Sequence, residues 1–180
     1  WLAAAALRPS PGVLQNIAIV HEDRRQWQQA ERYYGRAERA LDTYLDAHDL
    51  ASLDRKRAVY QCNRGNMMRR WANDTPDAAQ ACARRERARV LLTSATASWA
   101  SPEPHWDLAR LHADTLNWRA AREALRVAST VVSDEEQRRR WEMGYTAWIA
   151  FALAVRSGDE GQTAQARASV CRLLGEPPDL

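Results

Sequence analysis

The residues best placed for metal chemistry are His105 and His112, seven apart and so on one face of a helix, with Asp114 close by. Zinc needs a third ligand converging from elsewhere, and none is legible. Packing accounts for His112 without a metal. His21-Glu22 opens like the H-E-x-x-H motif of zinc proteases but lacks the second histidine. No Gly-rich phosphate loop, nucleophile elbow or Cys–His pair in a suitable context is present. The expectation is a chain that is not an enzyme and holds no metal or cofactor. Two arginine clusters, Arg84, Arg85, Arg87 and Arg89, and Arg138, Arg139 and Arg140, have the chemistry to grip phosphate or an acidic partner. Glu86, Glu135, Glu136 and Glu142 stand within helical reach of them, which is the pattern of a salt-bridged, solvated helix face.

These groups must be carried by a single domain's worth of chain, 180 residues long. A composition 46% hydrophobic and 27% charged excludes disorder. Seven Gly and seven Pro argue against a turn-rich β-sandwich. The net charge of +3 is too mild for a nucleic-acid partner to be expected. Basic residues are almost all Arg, with Lys56 the exception, a bias expected of a high-GC bacterial genome. The longest stretches free of charge, 90–102 and 143–155, are both shorter than the ~20 residues a spanning helix needs. There is no secretory signal pattern at Trp1. Three unpaired cysteines, Cys62, Cys82 and Cys171, suit a cytoplasmic setting and buried thiols.

Helix formers dominate throughout, and β-branched alternation is nearly absent. Ser10-Pro11, Thr75-Pro76 and Ser101-Pro102 each place a capping hydroxyl ahead of a proline at a helix start. Ser133-Asp134-Glu135-Glu136 reads as a capping box. Ser157-Gly158-Asp159 reads as a break. The punctuation predicts helices over 11–23, 26–47, 53–72, 76–97, 103–115, 117–131, 134–156 and 160–174, with connections short enough for neighbours to pair as hairpins.

Four segments repeat a pattern. The first carries Leu14, Ile17, Ala18 and His21, then Trp27, Ala30, Tyr34 and Ala37. The second offers Gly65 and Met68, then Ala81, Arg85 and Ala88. The third has Leu108, Ala109 and His112, then Trp118, Ala121, Leu125 and Ala128. The fourth has Trp148, Phe151, Ala152 and Val155, then Gly161, Ala164, Ala168 and Cys171. Small residues let paired helix axes approach while aromatic rings fill the space around the contact. This pattern resembles the tetratricopeptide (TPR) repeat over roughly residues 11–175. Ala18, Gly65, Ala109 and Ala152 are 47, 44 and 43 residues apart, longer than the 34 of the standard repeat, and so similar to the long-helix variants of kinesin light chains and bacterial signalling regulators. The resemblance implies an all-α, right-handed α-solenoid forming one domain over 1–180. Hairpins are expected at 11–47, 53–97, 102–131 and 134–175. Residues 1–8 look like the end of a preceding repeat, in a piece of a larger protein.

The same resemblance implies a concave surface, lined by the first helix of each hairpin, that holds a peptide or partner protein. On that register the groove takes Gln15, Asn16, Ile19 and Glu22, then Asn63, Asn66, Arg69 and Arg70. Trp106, Asp107, Arg110 and Asp114 follow, and then Ile149, Leu153 and Arg156. Asn63 matches an asparagine of the clamp by which chaperone-binding TPR domains hold a terminal carboxylate. The clamp's basic pair is replaced here by Glu103 and Asp107, so that ligand is not expected. Asn63, Asn66 and Arg69 retain the groups needed to pair with a peptide backbone. Trp106, on the groove face, is the expected exposed anchor. The functional expectation is a cytoplasmic, regulatory recognition module for a protein or peptide, acidic partners included, acting on an attached effector domain. Two alternatives are a ligand-sensing domain of a transcription regulator or signalling ATPase, with a pocket walled by Trp106 and His112, and a structural or oligomerisation spacer.

Overall fold

The computed structural model describes residues 9–43, 50–132 and 134–174. Within them lie eight α-helices and no strand. These are α1 (Pro11–Asp23), α2 (Trp27–Thr43), α3 (Leu50–Asn73), α4 (Ala78–Ser98), α5 (Pro102–Asp114), α6 (Trp118–Thr130), α7 (Glu135–Ser157) and α8 (Glu160–Leu174). Successive helices pair as hairpins: α1 with α2, α3 with α4, α5 with α6 and α7 with α8. The structure divides between Trp99 and Ala100 into two compact units, α1–α4 and α5–α8.

Short polar side chains satisfy the orphan amides at helix starts. The Val13 and Ala120 amides donate to Ser10 Oγ (3.3 Å) and Asn117 Oδ1 (3.2 Å). Those of Gln80 and Gln162 donate to Asp77 Oδ1 (2.7 Å) and Asp159 Oδ1 (2.8 Å). Two expected caps behave differently. Thr75 gives its hydroxyl to the Trp71 carbonyl (2.6 Å) and accepts from Arg84 (2.9 Å). Asp77, a stronger cap than Thr, then starts α4 at Ala78 instead of residue 76. Ser101 turns its hydroxyl to the Glu103 carboxylate rather than to the helix backbone. Ser133, of the expected capping box, lies outside the described residues, as do 1–8 and the 44–47 end of the second expected helix.

The α1–α2 and α5–α6 turns are the same turn. Arg25 (φ 55°) and Leu116 (φ 60°) occupy the left-handed region at equivalent places. Their amides donate to Glu22 O and Ala113 O, both at 2.8 Å, while those of Gln26 and Asn117 donate to His21 O and His112 O, both at 2.9 Å. The α7–α8 connection uses Gly158 (φ 73°) in the same region, where glycine carries no steric cost.

In unit 1, Ala18, Ala30 and Ala37 are fully buried where α1 meets α2, and Leu14, Leu41, Leu53 and Tyr60 bring α3 onto that hairpin. Gly65 sits where α3 meets α4, and a Cβ there would come within 2.7 Å of Leu92 Cγ. In unit 2, Trp106, Ala109, Ala121, Leu125 and Ala128 form a core with Trp148, Phe151 and Val170. The expected packing register of α8 is overturned: Gly161, Ala164, Ala168 and Cys171 are exposed. The helix turns Ala166 and Val170 to the core instead, since burying the Val side chain gains more than burying Ala. The thiols likewise differ from expectation, with Cys62 buried but Cys82 and Cys171 exposed.

Candidate binding face

The polar centre of unit 1 is Glu22, at the end of α1, which is buried. Tyr34 Oη donates to its Oε2 (2.9 Å) from α2, and Arg70 Nη1 donates to its Oε1 (2.7 Å) from α3. The Arg70 guanidinium also lies over the Trp27 ring, 5.9 Å from its centroid. One carboxylate thus ties three helices together. Burial holds the Glu22 carboxyl above its usual range, against the opposing pull of the Tyr34 hydrogen bond and the Arg70 charge. Burial, and then the Glu22 charge, push the Tyr34 phenol upward as well.

A raised carboxyl means that folding favours the protonated form. Its contribution to stability is therefore complete below the unfolded value and is lost as pH rises through the folded one. Glu22→Gln keeps an acceptor for Tyr34 and removes this titration. The variant's stability should change less between about pH 4.5 and 7 than that of the native chain. Urea titrations across that range check it; slopes of equal size would refute the assignment.

Along α3, Asn63, Asn66 and Arg70 fall at i, i+3 and i+7, one face of a helix, and all three are half-buried. Asn66 Oδ1 accepts from Arg69 Nε (3.2 Å), which leaves its amide donors unspent. The Asn63 side chain engages nothing among the described residues. On α1, Asn16 is exposed whereas Gln15 is buried. Arg69 does not face the groove as expected. At 2% exposure it turns into the core, where its neighbour Asn66 meets its Nε.

Trp106 is likewise no exposed anchor. It is 7% exposed and packs edge-to-face on Trp148, with centroids 5.1 Å apart. The gain from burying a large ring against another aromatic decides its orientation. Arg110 lies over that same ring (5.7 Å) and pairs with Asp107 (3.7 Å), so both residues belong to the build of unit 2. His112 and His105 are half-buried, and burial lowers the His105 pKa.

No family model, curated protein or solved structure matches the chain. What it can do must be read from its own side chains.

Most arginines of the two clusters are spent internally. Arg89 pairs with Glu86 (2.6 Å) and Arg139 with Glu135 (2.5 Å). Arg84 stacks over Trp71 (4.1 Å), and Arg138 donates to the Val132 carbonyl (2.9 Å). A second network carries no sequence motif. Arg64 of α3 donates through Nε to Glu31 (3.0 Å), through Nη2 to the same carboxylate and through Nη1 to Glu38, while Arg87 of α4 reaches Glu31 (2.8 Å). Its one legible sign is that Glu31 and Glu38 lie seven apart on the apolar-facing side of α2. No helix among the described residues is long and apolar enough to cross a membrane.

Proposed function

We propose that the chain is a recognition module that holds a protein or peptide segment along the α1–α3 face of unit 1. The supporting observation is the pair of half-buried side-chain amides, Asn63 and Asn66, with hydrogen-bonding groups unspent on one helix face. A half-buried amide with free donors and acceptors gains most from a main-chain partner, and offers one without regard to that partner's side chains. Arg70, paired with Glu22 yet 38% exposed, stands at the end of the stripe, which favours segments with some acidic character. The recurrence of the hairpin turn at Arg25 and Leu116 supports reading the hairpins as TPR-like repeats. The ligand-sensing alternative loses its wall, because Trp106 is spent on Trp148 and Arg110.

The test is a peptide-display selection on the native chain, followed by titration of the selected peptides against Asn63→Ala/Asn66→Ala. Asn66 accepts from the buried Arg69, so the double variant should unfold at a lower midpoint, whereas Asn63→Ala alone should leave the midpoint unchanged and still weaken binding. Losing two backbone hydrogen bonds should weaken binding by about tenfold or more. Equal affinity for both proteins would move the site elsewhere.

A further inference from the structure

Helix α2 carries three carboxylates, Glu31, Glu38 and Asp42, and three arginines, Arg32, Arg36 and Arg39, so its sequence is neutral. Folding separates the two sets. Arg64 of α3 takes Glu31 and Glu38, Arg87 of α4 reaches Glu31 as well, and Arg57 of α3 takes Asp42 (2.8 Å). Arg32, Arg36 and Arg39 are left exposed, and no carboxylate among the described residues pairs with them. They recur at i, i+4 and i+7, on the side of α2 opposite its buried Ala30, Tyr34, Ala37 and Leu41. Arg36 is steadied over the Tyr33 ring (5.2 Å), which itself stacks on His21 (5.2 Å). The net charge of +3 averages over paired charges and conceals this stripe.

None of the exposed large apolar side chains belongs to α2. A protein surface or a membrane would be held on this side by exposed ion pairs alone, each contributing at most about 1 kcal/mol. A nucleic-acid backbone differs, because every phosphate neutralised releases condensed counterions into solution. The match in length is close. The stripe rises roughly 10 Å along α2, and that length of duplex axis carries about three phosphates on each strand. Tyr33 is already engaged by Arg36 and His21, so it gives unstacked bases no platform, which favours paired strands over single ones.

We infer that Arg32, Arg36 and Arg39 form a docking strip for the sugar-phosphate backbone of duplex DNA, gripping successive phosphates of one strand without reading the bases. Arginine suits the task, since its planar fork matches two phosphate oxygens at once. The strip lies on a different helix from Asn63 and Asn66, and the inference is independent of whatever binds there.

The probe is a fluorescein-labelled DNA duplex of about 20 base pairs, followed by anisotropy. The native chain should bind it at low salt, and affinity should fall about 40-fold between about 50 mM and 200 mM salt, the slope for three neutralised phosphates. Arg32→Gln/Arg39→Gln alters two exposed side chains and should keep the native unfolding midpoint. Its residual binding should fall only about fourfold over the same salt range, as for one phosphate. Arg119→Gln/Arg122→Gln removes equal charge from exposed positions of α6 and should bind as the native chain does. Duplexes of unrelated sequence should bind equally well. Absence of binding at low salt, or equal losses in the two variants, would overturn the inference. So would tighter binding of the unpaired strand, or displacement of the duplex by polyglutamate at equal charge concentration.

Discussion

Arg64→Met should lower the unfolding free energy by about 3 kcal/mol at neutral pH, as expected when one partner leaves a largely buried ion cluster. Arg64 alone reaches both Glu31 and Glu38, and Arg87 remains to serve only the first. The loss therefore falls mainly on Glu38, whose Oε1 is buried without a partner and whose carboxyl burial already holds above its usual range. A folded value raised this way favours the protonated form, so stability falls as pH rises through it. Removing Arg64 raises it further. The deficit of the variant should accordingly be largest at neutral pH and shrink towards about pH 5, where Glu38 can take up a proton. Urea denaturation at the two pH values measures this, and a deficit independent of pH would show that the guanidinium contributes packing rather than charge.

Gly65→Ala is expected to be destabilising even though alanine is the better helix former by about 1 kcal/mol. A Cβ at this position would lie 2.7 Å and 2.9 Å from two carbons of Leu92, which has no exposed surface into which to move. Forcing α3 and α4 apart should cost about 3 kcal/mol, for a net loss of about 2. Leu92→Ala on its own should cost about 2–5 kcal/mol. In that background the methyl group has room, and Gly65→Ala should become stabilising by about 1 kcal/mol. A double-mutant cycle by chemical denaturation reads the change of sign. Additive effects would mean that the two side chains do not meet.

The positions of all eight helices were legible to within a few residues, because their signals are local and concordant: capping residues, helix formers and recurring small residues. The burial of Ala18 and Ala30, and of Ala109 and Ala121, could be read for the same reason. What escaped were choices between local options of similar energy. Thr75 and Asp77 are both capable caps, and the partner found by each hydroxyl or carboxylate decided between them. Arg69 and Arg70 are adjacent and identical, yet one turns into the core and the other reaches Glu22. Trp106 on a polar stretch of α5 reads as an exposed ring until Trp148, more than forty residues later, arrives beside it. The Arg64 network was hidden in the same way, since its members come from three helices and share no motif.

The Trp106–Trp148 pair has a spectroscopic consequence. The Trp148 indole N–H is buried and meets no acceptor among the described residues, and its ring is 1% exposed. An excited indole in such a site has few dipoles able to relax around it, so it emits at the blue end of its range and shifts red once water reaches it. Two indoles held edge-to-face also couple their transitions, giving near-ultraviolet circular dichroism that vanishes when either ring is freed to rotate. Unit 2 therefore carries its own optical reporter, able to follow the opening of that unit without a label.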